Sequence, residues 1–324
     1  MRSLCRAASA LSAALPIVLA LASFACPRSA CAGGADGAYL GQPAPGKTPE
    51  VFARDALGPQ GFVFAPVFTP DGHELFLCRM DRPGQFSIHR MWWERGEWRG
   101  PERAVFSTGL SNGAPCVTPD GRRVYFESTR PVPGAADSAG RSHIWYVARA
   151  GKGWSRPQPV RLPAGSIGLG ERYPSLARDG TLYFCADFGP DRGGAGIHST
   201  REVHGAWEMP VSAGPGVNRQ GTVVVEPCVA PGGEFLVFYS AGGADNLTPG
   251  KPLGDLYVSF RRPDGTWGES VNLGPPVNST GEENFPRLSA DGRFLFFSND
   301  SAGFPPLIHW VDAQVVREAG KAAR

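Results

Sequence analysis

Three glutamates stand just ahead of a recurring proline: Glu171 three residues before Pro174, Glu226 directly before Pro227, and Glu283 three before Pro286. Asn112, Arg172, Tyr173 and Asn284 occupy the same or intervening positions. Carboxylates grouped with amides, a guanidinium and a phenol can hold a polar ligand or a cation. They can also cleave a glycosidic bond, provided two carboxyls are held roughly 5–10 Å apart and one keeps its proton. The plainer alternative is a solvated polar rim that binds nothing. Against a hydrolase, the first copy of the pattern carries only Val63 and Ala65 at these positions, and no copy supplies an aspartate.

Other chemistries find less support. His89, His198 and His309 share one slot with Trp145 and Tyr257, so that slot asks for a packed ring more than for a metal ligand. There is no H-E-x-x-H, no paired C-x-x-C and no D-x-D-x-D-G loop, so neither a metal nor another cofactor is expected. Nor is there an α/β segment to carry a serine nucleophile on a strand-to-helix elbow. Cys78 and Cys185 occupy one repeated slot, Cys116 and Cys228 another. Bridges Cys78–Cys116 and Cys185–Cys228 between neighbouring repeats are conceivable in an oxidising compartment. Small buried residues filling repeat positions are the alternative.

The elements that position these residues come from an internal repeat. Five segments read PVFTPDG from Pro66, PCVTPDG from Pro115, PSLARDG from Pro174, PCVAPGG from Pro227 and PRLSADG from Pro286. Their closing glycines, Gly72, Gly121, Gly180, Gly233 and Gly292, are 49, 59, 53 and 59 residues apart. An alternating apolar strand follows each, and Asp-Gly between two such strands predicts a hairpin, because glycine supplies the positive φ of the turn. A third strand carries Ile or Leu followed by a ring. In four copies a tryptophan (Trp98, Trp154, Trp207, Trp267) then precedes a short fourth strand. Four antiparallel strands in about 50 residues make a propeller blade. The fifth copy lacks its fourth strand, and Pro49–Ala53 is the segment left to supply it. The expected fold is therefore all-β: a five-bladed propeller over 49–315, closed by its N-terminal strand, with almost no helix. Residues 33–48 read as a linker, and the polar 316–324 as a disordered tail.

The run Trp267-Gly-Glu-Ser-Val-Asn-Leu-Gly-Pro-Pro-Val-Asn-Ser-Thr-Gly-Glu-Glu-Asn-Phe-Pro-Arg-Leu-Ser-Ala-Asp-Gly292 resembles the blade repeat of the TolB-type, WD-repeat-like propellers. The resemblance extends over about 39–315. It implies an exported β-propeller and no particular reaction, since that family mixes binding and scaffold proteins with propellers fused to peptidases.

Arg2 and Arg6, the apolar run Leu15–Ala25 and the small-residue step Ala30-Cys31-Ala32 read as a cleavable secretory leader over 1–32. Cys26 offers a lipoprotein site as the weaker alternative, because Ser23 stands where a branched apolar residue is preferred. The leader removes Arg2, Arg6 and Arg28 from the 32 basic residues, leaving 29 against 30 acids. That balance gives no electrostatic reason to bind nucleic acid or an anionic membrane, and no segment beyond the leader is expected to span a bilayer. The expected protein is a periplasmic or extracellular binding module for an envelope protein, peptide or glycan. A glycan-directed hydrolase or lyase with carboxylates at the channel mouth is the alternative. The longest loops, Thr129–Ser142 and Ala241–Gly254, are expected on the same face as that mouth.

Overall fold

The computed structural model describes residues 37–57, 62–134, 140–163, 170–187, 195–249 and 253–322. The expected leader over 1–32 lies outside them. Five four-stranded antiparallel blades are present; in four the strands follow one another from the axis outward, and in the fifth the outer strand comes from the N-terminal segment. Their innermost strands are Val63–Phe68, Asn112–Val117, Arg172–Leu176, Val223–Val229 and Glu283–Leu288. Among the described residues no helix is long and apolar enough to cross a membrane.

The turn after each inner strand follows from its sequence. Gly72, Gly121, Gly180, Gly233 and Gly292 all have φ between 69° and 84°, where a side chain would be strained. In four blades the aspartate before the glycine caps the turn. Asp71 Oδ1, for example, accepts the His73 N–H at 3.1 Å and the Thr69 hydroxyl at 2.6 Å. The fourth copy, with Gly232, forgoes that cap.

The ring closes as expected. Glu50 pairs with Trp310 and Val51 with His309 as the outer strand of blade five, and the Phe52 N–H reaches the Ile308 carbonyl at 2.8 Å. Five apolar clusters pack the structure, one at each seam between neighbouring blades. In the slot assigned to packed rings, His309 stacks on Phe297 with centroids 5.8 Å apart.

Both termini differ from expectation. The tail is not disordered: Gln314–Ala322 is a helix. Val316 is fully buried in the cluster between blades four and five, and Arg317 lies over the Phe235 ring. The polar composition concealed a single inward face, which the edge of blade four supplies with a partner. The linker is docked as well. Tyr39 packs edge-on against Phe68 and Phe294, and Trp98 Nε1 donates to the Gly37 carbonyl at 2.8 Å.

Candidate functional site

Every inner strand carries the same irregularity. The residue before each repeat proline is left-handed: Ala65, Ala114, Tyr173, Glu226 and Phe285 have φ of 50°, 47°, 54°, 60° and 53°. The ladder shifts register there in all five blades. Such a bulge inserts an unpaired residue and re-aims its side chain. It also strands a backbone N–H, which in blades two to five is satisfied from the preceding blade. Cys78 Sγ accepts the Ala114 N–H at 3.0 Å, Glu127 Oε2 that of Tyr173 at 3.1 Å, and Glu226 Oε2 that of Phe285 at 2.6 Å. A backbone hydrogen bond also joins Cys185 to Glu226. In blades one to three the slot at the end of the second strand therefore supplies an acceptor, which explains its cysteines and glutamate; for blade five the acceptor is Glu226 of the inner strand of blade four.

All four described cysteines are buried and free, so neither inter-blade bridge is formed. The reason is directional. Cys78 and Cys185 lie in the seams toward blades two and four, whereas Cys116 and Cys228 lie in the following seams, toward blades three and five, at the border of the axial channel. Burial, the largest influence on each, keeps all four thiols protonated, with Cys228 pushed up to about 12. Unfolding unreduced protein that starts at Gly33 is expected to expose four titratable thiols; finding none or two would restore a bridge.

The bulge also decides where the sequence-selected residues go. Asn112, Glu171 and Glu283, three before the proline, are buried; they do not form a solvated rim. The left-handed residue breaks the alternation of the strand, so positions two apart no longer share a face. Asn112 Oδ1 accepts from Ser128 Oγ at 3.0 Å and Arg130 Nη2 at 2.7 Å, pinning the loop of blade two. Glu171 Oε2 meets His143 Nδ1 at 2.6 Å across the seam of blades two and three. Glu283 Oε1 accepts from Ser279 Oγ and Asn299 Nδ2. Burial, followed by the charges of Asp255 and Asp300, pushes Glu283 up to about 7 against the hydrogen bonds of Ser279. Asn284 is half-buried, and its Oδ1 meets no donor.

Glu226 behaves differently. It belongs to the axis with Tyr173 and Phe285. Burial raises its carboxyl to about 7, while the Phe285 N–H and the Arg287 charge pull it down and Glu282 and Glu127 push it further up. Glu127 is raised too, chiefly by burial, against the Tyr173 N–H and the charges of Arg172 and Arg287. Above these carboxyls the rings meet: Tyr173 of blade three lies 6.3 Å from Phe285 of blade five, although no seam joins those blades. Phe285 continues to Phe64 at 4.2 Å and Phe62 at 6.2 Å, and Phe62 to the exposed Phe304 at 5.9 Å. A cleft of ≈ 370 Å³ opens beside this platform between blades three and four, lined by Arg172, Tyr173, Asp187 and Val223 among others. A second of ≈ 630 Å³ lies at the closing seam, with Phe304, Pro305 and Arg54 on its walls.

The structure thus brings Tyr173, Glu226 and Arg172 to one mouth and leaves Asn112, Glu171 and Glu283 inside separate blades. Sequence reasoning missed Glu127 and the rings Phe62, Phe64 and Phe304. Glu127 was visible only as a copy of the cysteine slot; the phenylalanines carry no repeat signal. It also passed over Gly109-Leu110-Ser111-Asn112-Gly113, which matches the G-x-S-x-G pattern. That pentapeptide leads into an inner strand and not into a helix, and Ser111 Oγ accepts the Phe86 N–H at 3.2 Å. It is not a nucleophile elbow. Among the described residues, no group of three or more His, Cys, Asp or Glu is placed to hold a metal ion.

No family model matches the chain, and no curated protein matches it by sequence. Solved structures do share its fold. TolB from Acinetobacter baumannii aligns at 15% identity and TM-score 0.45, over 76% of this chain and 54% of that one. A TolB-like protein from Agrobacterium tumefaciens aligns at 17% identity and TM-score 0.49, over 78% and 77%. A glycoside hydrolase aligns at 10% identity and TM-score 0.51, over 83% and 90%. This chain spans about half the length of the A. baumannii TolB. At these identities the likeness is one of fold, the β-propeller.

Proposed function

We propose that this chain is an exported binding module of the cell envelope, and that the ring platform at its channel mouth receives a protein, peptide or glycan partner. The observation that carries this reading is the continuous row Phe304–Phe62–Phe285–Tyr173, partly open to solvent beside two clefts. Rigid rings offer large contact area at little entropic cost, and such rings dominate binding energies where they cluster. The leader read in residues 1–32 supports export.

The test begins with peptide and oligosaccharide arrays probed with wild-type protein, followed by titration of each hit against Phe304→Ser and Phe62→Ser. Loss of a ring hot spot costs about 2 kcal/mol or more, so affinity is expected to fall at least ~30-fold. Hits that bind both variants with unchanged affinity would place the site elsewhere.

The second reading, a glycan-directed hydrolase, is favoured by one observation: Glu127 and Glu226 both have carboxyls raised chiefly by burial, and the Glu127 charge adds to the rise of Glu226. Each, however, already spends an oxygen on a bulge N–H. If the pair hydrolyses glycans, reducing ends released from a polysaccharide panel should vanish in Glu226→Gln.

A further inference from the structure

Beyond the mouth, the axial channel narrows to a space of ≈ 50 Å³. Its walls include the residue that follows each repeat proline: Val67, Cys116, Ser175, Cys228 and Arg287. Four of these five are small and uncharged; the fifth carries a permanent positive charge. Arg287 is only 4% exposed. Its Nη1 donates to the Pro286 carbonyl at 2.8 Å, while Nε and Nη2 are buried and meet no acceptor.

A buried guanidinium with two unmet donors is costly, because an ion removed from water loses several kcal/mol of solvation unless a counter-charge replaces it. The surrounding side chains do not supply one within reach. Glu127 and Glu226 sense Arg287 through their charges, but each directs its hydrogen-bonding oxygen to a bulge N–H. The thiols of Cys116 and Cys228 are held protonated by burial, although the Arg287 charge draws both down. The Ser175 hydroxyl accepts the Val229 N–H at 2.9 Å, which leaves its own hydrogen to give. The wall therefore presents no anion, and its unspent donors are Arg287 Nε and Nη2 with the Ser175 hydroxyl. Water could fill the space, yet it would place no negative charge on Nε and Nη2.

We propose that this space binds one small monovalent anion of halide size, held by Arg287 Nε and Nη2 and bordered by Ser175, Cys116 and Cys228. A water-sized guest needs only about 10–15 Å³ of cavity volume, so a monoatomic anion fits the space beside Arg287. Such an ion lies where strands of all five blades converge, so its binding joins the ring as a whole and stabilises the folded state by mass action.

The experiment has two arms. Crystals of the protein soaked in bromide are expected to show an anomalous peak within hydrogen-bonding reach of Arg287 Nε and Nη2. In solution, thermal unfolding at constant ionic strength is expected to show a saturating rise in Tm of about 3 °C as gluconate is exchanged for chloride or bromide. Arg287→Met should lose the halide-specific part of that rise. Absence of bromide at Arg287, or an equal halide response in Arg287→Met, overturns the proposal. If Arg287→Met does not fold, the bromide position in the wild-type crystal decides alone.

Discussion

Between about pH 4.5 and 7 this protein is expected to lose stability as the pH rises, opposite to the usual behaviour of carboxylate-stabilised proteins. Glu226 and Glu283 are both pushed to about 7, in each case chiefly by burial, and Glu127 moves in the same direction. A carboxyl with an ordinary pKa of 4.5 when unfolded and about 7 when folded binds more proton in the native state across that interval. The unfolding free energy therefore falls with rising pH. The contribution is fully present below about 4.5 and is lost as the pH passes through about 7. Each group can contribute up to about 3 kcal/mol. The turn aspartates Asp71, Asp120 and Asp179 do not obscure this window: burial raises them, hydrogen bonds within the turns outweigh it, and their net shift is downward. His89 and His309 oppose the trend, since burial lowers both and favours the native state as the pH rises toward 6.5. A difference measurement separates the two. Urea unfolding at pH 5 and pH 7.5 should show wild-type protein more destabilised by the pH change than Glu226→Gln/Glu283→Gln. Equal pH dependence in the two proteins would mean that neither carboxyl holds its proton in the fold.

Phe52→Ala is expected to be among the most destabilising single substitutions, at about 3–5 kcal/mol. Phe52 is 1% exposed and belongs to a closing strand with only two ladder residues, Glu50 and Val51. Its ring lies 5.1 Å from Phe296 and 5.1 Å from Trp310 on blade five, and 5.8 Å from Phe68 on blade one. It therefore joins the first and last blades across the seam where the ring would otherwise open. Removing it leaves a cavity among large rings that cannot collapse, and it exposes the edge of Leu307–Asp312. Val51→Ala, on the exposed side of the same strand, should cost under about 0.5 kcal/mol. Denaturant midpoints of the two variants test the pair. A loss below about 1 kcal/mol for Phe52→Ala would show that the N-terminal strand is not what closes the ring.

The features legible from local rules alone are the turns, the strands and the count of blades. The five glycines must supply positive φ after Asp or Gly, the strands beside them alternate with a period of two, and a last copy lacking one strand requires Pro49–Ala53 to complete it. Each of these depends on residues a few positions apart, or on counting copies. The destination of the functional side chains could not be read in that way. Glu171 and Glu283 are one residue type at one repeat position, yet they meet His143 and Asn299 respectively, and only strand pairing and seam packing bring those partners to them. Tyr173 and Phe285 touch although they belong to blades that share no seam, because five bulged strands converge on one axis. The tail shows the same division: Val316 reads as one apolar residue in a polar stretch until the edge of blade four gives it a surface to bury against. Turns and strands are local consequences of backbone sterics, whereas a bulge re-aims side chains toward neighbours some 50 residues away, and that geometry exists only once the ring has closed.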